Sequence, residues 1–143
     1  MAKYVKCPRC ELNYILEGEG ENSFHELLEF LDGKRLINNV SNLHFIEDNK
    51  HKFTYQKHPD LNEIHLATLN IKDYQNRIIY LESSRGCPYH CSYCTASLDN
   101  KVRYFPLEKV LNILYTLMIN KTKVVKFLDR TFNANYEYMM QIL

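Results

Sequence analysis

Residues 77–94 read "RIIYLESSRGCPYHCSYC", a short apolar strand running straight into a loop that places Cys87, Cys91 and Cys94 within eight residues. The spacings are x3 and then x2, and the remaining chain of 143 residues holds only two other cysteines, Cys7 and Cys10. Core packing gives no reason to crowd thiols in this way, so the loop reads as a set of ligands. A zinc site takes its thiolates in pairs and fills four positions, whereas three local thiolates leave one position of a tetrahedral site or cluster open. A [4Fe–4S] cluster held by three cysteines keeps one iron free for a small molecule. The loop also leaves the carboxyl end of a strand, where parallel sheets and barrels place their ligand sites.

Outward from this loop the pattern is regular. "PLEKVLNILYTLMIN" (106–120) predicts a helix with Pro106 near its first turn and a buried stripe of Val110, Leu111, Leu114, Leu117 and Met118. "KVVKFLD" (123–129) is a second strand, "RTFNAN" a polar loop in which Asn133 is a candidate helix cap, and "YEYMMQIL" (136–143) a second helix. Strand, helix, strand, helix predicts that residues 78–82 and 124–128 pair in parallel. Two parallel strands close no sheet, so the fold class expected is α/β, the first strand–helix units of a larger body of which this chain is a truncated piece.

The amino-terminal part is organised differently. "NYILEG" (13–18) is strand-like, "GEGE" (18–21) a turn, and "SFHELLEFLDG" (23–33) an amphipathic helix with Ser23 and Glu26 as an S-x-x-E capping box. Phe24, Leu27, Leu28 and Leu31 repeat at helical spacing, and Gly33 suits the stop. From Val40 to Gln56, "LHFI" and "KFTY" flank the polar "EDNKHK", a small exposed hairpin, and 57–76 reads as a linker. The domain boundaries expected are therefore 1–36, a hairpin and linker over 37–76, and 77–143.

Composition narrows the partners. Lys plus Arg number 18 against 17 Asp plus Glu, a formal charge of +1 that favours neither nucleic acid nor an anionic membrane. No apolar run reaches a membrane span and the first residues carry charges with no apolar core of a signal, so a cytoplasmic location is expected. Thiols there are kept reduced, which favours metal over disulfides for five cysteines in two tight clusters. A closed zinc site from Cys91, Cys94, Cys7 and Cys10 is the competing, noncatalytic reading. It leaves Cys87 unexplained and separates the pairs by far more than the roughly fifteen to twenty residues usual for zinc. "CPRC" (7–10) alone receives no role.

The residues also carry a family likeness. "CPYHCSYC", with the aromatic Tyr93 just before the last cysteine, resembles the C-x3-C-x2-C loop of radical S-adenosylmethionine (SAM) enzymes. More narrowly, "ESSRGCPYHCSYCTASLDNKVRYFPLEKV" followed by "VKFLDRTFN" resembles bacterial radical SAM proteins that carry an amino-terminal cobalamin-binding domain and a carboxy-terminal domain of unknown function. "ILEGEGENSFHELLEFLDG" is similar to the last strand, loop and helix of their cobalamin-binding domain. The resemblance implies the start of a partial (β/α) barrel, with Cys87, Cys91 and Cys94 as the ligands of a [4Fe–4S] cluster and SAM on the free iron. Tyr93 would lie near the adenine and Asp129 near the SAM amino group. It further implies reductive cleavage of SAM to a 5′-deoxyadenosyl radical, an electron donor such as flavodoxin or ferredoxin, and cobalamin only in a full-length relative. The substrate stays open.

Overall fold

The computed structural model describes residues 13–64, 76–95 and 101–143. The chain divides into two compact units, Met1–Asp60 and Leu61–Leu143. The linker expected over 57–76 and the "CPRC" pair fall partly and wholly outside the described residues.

In the first unit β1 (Tyr14–Leu16), β2 (Leu43–Glu47) and β3 (Lys50–Phe53) form an antiparallel sheet in that order, with Tyr14 opposite Phe45 and His44 opposite Phe53. The expected hairpin is present, and β1 extends it into a sheet. Its turn residues Asp48 and Asn49 both have positive φ, 51° and 58°. That is the two-residue primed turn whose twist matches the strands, and Asp and Asn tolerate the left-handed region better than other side chains do. Helix α1 (Glu21–Leu31) ends in a Schellman arrangement, with Gly33 at φ +74°, its N–H on the Phe30 carbonyl and the Lys34 N–H on the Glu29 carbonyl.

The start of α1 differs from the sequence reading. The helix begins at Glu21 with Gly20 as its cap residue, and no side chain caps it. The capping box does not form because both members are engaged elsewhere: the Ser23 hydroxyl donates to the Glu19 carbonyl at 3.3 Å, and the buried Glu26 carboxylate accepts the Ser41 N–H at 2.7 Å and the Ser41 hydroxyl at 2.6 Å. Of the four apolar positions expected on its inner face, Leu27 alone is buried, in a core with Val40, Leu43 and Phe45. Phe24, Leu28 and Leu31 are exposed, because the small sheet covers only one narrow strip of the helix.

The second unit is built around β4 (Ile78–Leu81) and β7 (Val124–Phe127), which pair in parallel with Ile78 opposite Val124 and Leu81 opposite Phe127. Helix α2 (Leu107–Ile119) lies between them in sequence, and Pro106 precedes its first residue, as expected. A two-residue ribbon, β5 (Ser84–Arg85) against β6 (Arg103–Tyr104), frames the cysteine loop, and α3 (Tyr136–Ile142) closes the chain. Period-2 patterning sends Ile79 and Leu81 inward and Ile78 and Tyr80 outward.

The core of this unit is Leu61, Ile64, Leu81, Phe105 and Val110, with Val125, Phe127 and Ile142 against it. Leu61 and Ile64 belong to the stretch read from sequence as linker, where no period marks them. The stripe expected on α2 is also narrower than its sequence. Val110 and Leu117, seven residues apart, are buried, while Leu111 and Met118, each about 100° further round the helix, are exposed. Those two, with Leu114, Tyr115, Thr122, Val125 and Ile142, line an open apolar groove. Asn135, not Asn133, caps α3, its side-chain oxygen accepting the Tyr138 N–H at 3.1 Å.

Candidate functional site

The cysteine loop begins where β4 ends. Leu81 hands the chain to Ser83 and Ser84, both buried, and Gly86 then turns it into Cys87. Gly86 has φ +93°, and a Cβ there would lie 2.9 Å from the Lys101 carbonyl carbon and closer still to its oxygen. Only glycine lets the backbone of residue 101 approach this closely. A further turn closes the loop, the Cys94 N–H donating to the Cys91 carbonyl at 3.1 Å.

The end of β7 comes to the same place. Asp129 accepts the Ser83 N–H at 3.0 Å, the Ser83 hydroxyl at 2.7 Å and the Ser84 hydroxyl at 2.5 Å. Two residues on, the Thr131 hydroxyl stands 3.4 Å from the Cys87 sulfur. That hydroxyl, then the Tyr89 backbone N–H and the Arg130 charge, hold the Cys87 thiol below the ordinary thiol range against the opposing effect of burial.

Beneath the loop, Tyr138 of α3 donates its hydroxyl to the carbonyls of Phe105 at 2.8 Å and Ser83 at 3.2 Å, while the Phe105 N–H also reaches the Ser83 carbonyl at 3.0 Å. Burial, then the Asp129 charge and Tyr104, push the Tyr138 phenol up to about 12. Arg85 binds Glu82 at 2.9 Å and lies over the Phe105 ring, 5.5 Å from its centroid. Ser83, Ser84, Thr131 and Tyr138 were not singled out from the sequence. The only signal for them is proximity in sequence to the cysteines and to Asp129.

The residues expected at the site are distributed as follows. Cys87, Cys91 and Cys94 are half-buried cysteines on one loop, none of them in a disulfide. Asp129 lies directly behind that loop, and three donors of the chain already meet its two oxygens. Tyr93 is 90% exposed. Among the described residues no three His, Cys, Asp or Glu side chains stand together as a metal-holding group. Their chemistry suits iron and sulfide: three soft donors, the first already biased toward thiolate.

No protein-family model matches the chain. A search of known structures finds the cobalamin-dependent SAM radical enzyme OxsB with a TM-score of 0.71 at 18% identity, over 90% of this chain and 20% of that one. The radical SAM methyltransferase TsrM from Kitasatospora setae follows with a TM-score of 0.68 at 16% identity, over 91% of this chain and 28% of that one. Over the part that it matches, the chain shares the fold of OxsB and TsrM. Those structures include OxsB with aqua-cobalamin and SAM bound, and TsrM with cobalamin and a [4Fe–4S] cluster bound. In sequence, an uncharacterized methyltransferase of Pyrococcus horikoshii is 27% identical over 96% of this chain and 32% of its own length. The chain thus spans about a third of that relative and a fifth to a little over a quarter of the two enzymes. Among the described residues no helix is long and apolar enough to cross a membrane.

Proposed function

We propose that this chain carries the cluster-binding portion of a SAM-dependent enzyme of the radical SAM type, with Cys87, Cys91 and Cys94 each holding one iron of a [4Fe–4S] cluster and SAM taking the fourth. The observation that carries this reading is positional. The three thiols leave the carboxyl end of a strand in a parallel β4–α2–β7 unit, and the end of the neighbouring strand β7 reaches the first of them through Thr131. The methyltransferase relative and the likeness to the methyltransferase TsrM support a transferase outcome for the whole protein.

When bound, the cluster supplies one-electron chemistry: an electron from a reductant such as ferredoxin or flavodoxin cleaves SAM to methionine and a 5′-deoxyadenosyl radical. The chain's own residues bind and orient. Gly86 lets the loop turn, and the pairing of Asp129 with Ser83 and Ser84 fixes the root from which the loop carries the three thiols. Tyr93, exposed on that loop, would cover the adenine of SAM. Cobalamin binding is proposed only for a full-length relative.

The test is anaerobic reconstitution with iron and sulfide. About four irons and four sulfides per chain, with a broad band near 400 nm, are expected for the unaltered chain. Alanine at Cys87, Cys91 or Cys94 removes the stable four-iron cluster, and alanine at Cys7 or Cys10 leaves it. A colourless zinc protein that needs Cys7 and Cys10 but not Cys87 overturns the proposal in favour of a structural zinc module.

A further inference from the structure

The ends of β4 and β7 are joined by two ties in parallel. The first is Asp129 with Ser83 and Ser84, all buried or half-buried and all within 3.0 Å. The second, two residues beyond Asp129 and three beyond Ser84, is Thr131 with Cys87 at 3.4 Å. The first tie fixes the separation of the two chain ends, so the second falls on a pair of residues whose backbones are already held in place. The Thr131 carbonyl, not its hydroxyl, closes the next turn by accepting the Ala134 N–H at 3.0 Å. Its hydroxyl is turned to sulfur.

We propose that Thr131 is a positioning residue for Cys87, its hydroxyl donating to the Cys87 sulfur when that sulfur is a cluster ligand and so raising the potential at which the cluster accepts its electron. This rests on the cluster reading above. A donor on a ligand sulfur withdraws electron density and stabilises the reduced, more negative state more than the oxidised one, which moves the couple to higher potential. Thr131 is the residue of β7's exit that performs this for the Cys87 corner of the cluster. A hydroxyl is enough for the task. Valine has the same shape without the donor, and serine keeps the donor without the methyl.

The experiment compares the reconstituted unaltered chain with Thr131→Val and Thr131→Ser, reading iron and sulfide content and then the midpoint potential by redox titration followed by electron paramagnetic resonance. The expected result is equal iron in all three, a more negative potential for Thr131→Val, and an unshifted one for Thr131→Ser. Loss of iron from Thr131→Val with retention in Thr131→Ser also bears the proposal out, because the hydroxyl then holds the sulfur in place. Equal potentials for Thr131→Val and the unaltered chain overturn it while leaving the cluster reading standing. Loss of iron from both variants overturns it too, since the methyl and not the hydroxyl would matter. If the unaltered chain takes up no iron, the cluster reading fails and this inference falls with it.

Discussion

Replacing Tyr138 by Phe removes one hydroxyl and leaves in place the ring, which packs at a tilt with its centroid 4.8 Å from that of Tyr104. Two carbonyls lose a donor, but unequally. Ser83 keeps the Phe105 N–H at 3.0 Å, whereas Phe105 loses the shorter bond, 2.8 Å, from a residue that is 1% exposed. One largely orphaned buried acceptor costs about 1–2 kcal/mol. With a urea dependence on the order of 1 kcal/mol per molar for a unit of this size, the midpoint falls by about 1–2 M at pH 7. The same phenol adds a pH signature. Its folded value, pushed up to about 12, lies above the ordinary tyrosine value of 10, so the unfolded chain gives up the proton first as pH rises. The stability it contributes is complete below pH 10 and is lost as pH rises from 10 towards 12, a loss of about 1–2 kcal/mol once solvent screening of this part-exposed ring is allowed for. Tyr138→Phe has no such loss, so its deficit shrinks above pH 10. Urea titrations at pH 7, 9, 10 and 11, followed through the methyl resonances of Val110 and Leu117, read this second unit alone. Equal midpoints at pH 7, or a difference that does not change with pH, would refute the reasoning.

Two substitutions test the supports of each unit. Gly86→Ala forces a side chain to φ +93° and into the Lys101 carbonyl, at a cost of about 2–4 kcal/mol, and the expected sign is rapid amide exchange at Arg85 and Tyr104 as the β5–β6 ribbon opens. Unchanged protection there would show that the loop root has room the backbone does not reveal. Glu26→Ala strands both the N–H and the hydroxyl of Ser41, itself 1% exposed, and should destabilise the first unit by about 2–4 kcal/mol, read from the Val40 and Leu43 methyl resonances in urea. Ser41→Ala, which removes one of the two bonds, should cost less, and an equal loss from both would contradict this account of the pair.

What the residues by themselves determined is what depends on near neighbours. Short apolar and β-branched runs marked β4 and β7, a stripe at helical spacing marked α2, and the strand–helix–strand order implied the parallel pairing that Ile78 and Val124 display. The crowding of Cys87, Cys91 and Cys94 marked the site, because one short loop is enough to define a ligand set. Only the tertiary structure decided the rest. Glu26 lies three residues after Ser23 in the capping-box pattern, yet it binds Ser41, fifteen residues away, because a buried carboxylate goes to the strongest donors within reach and the sheet brings two of them. Leu61 and Ile64 show no period but are core, since burial follows what packs over a residue and not the local pattern. Asp129 and Ser83 are 46 residues apart, and Tyr138 and Ser83 are 55 apart. Contacts at that separation exist only after β7 is laid beside β4, so no reading of adjacent residues contains them. The same pairing sets Thr131 against Cys87 and holds that thiol below the ordinary thiol range.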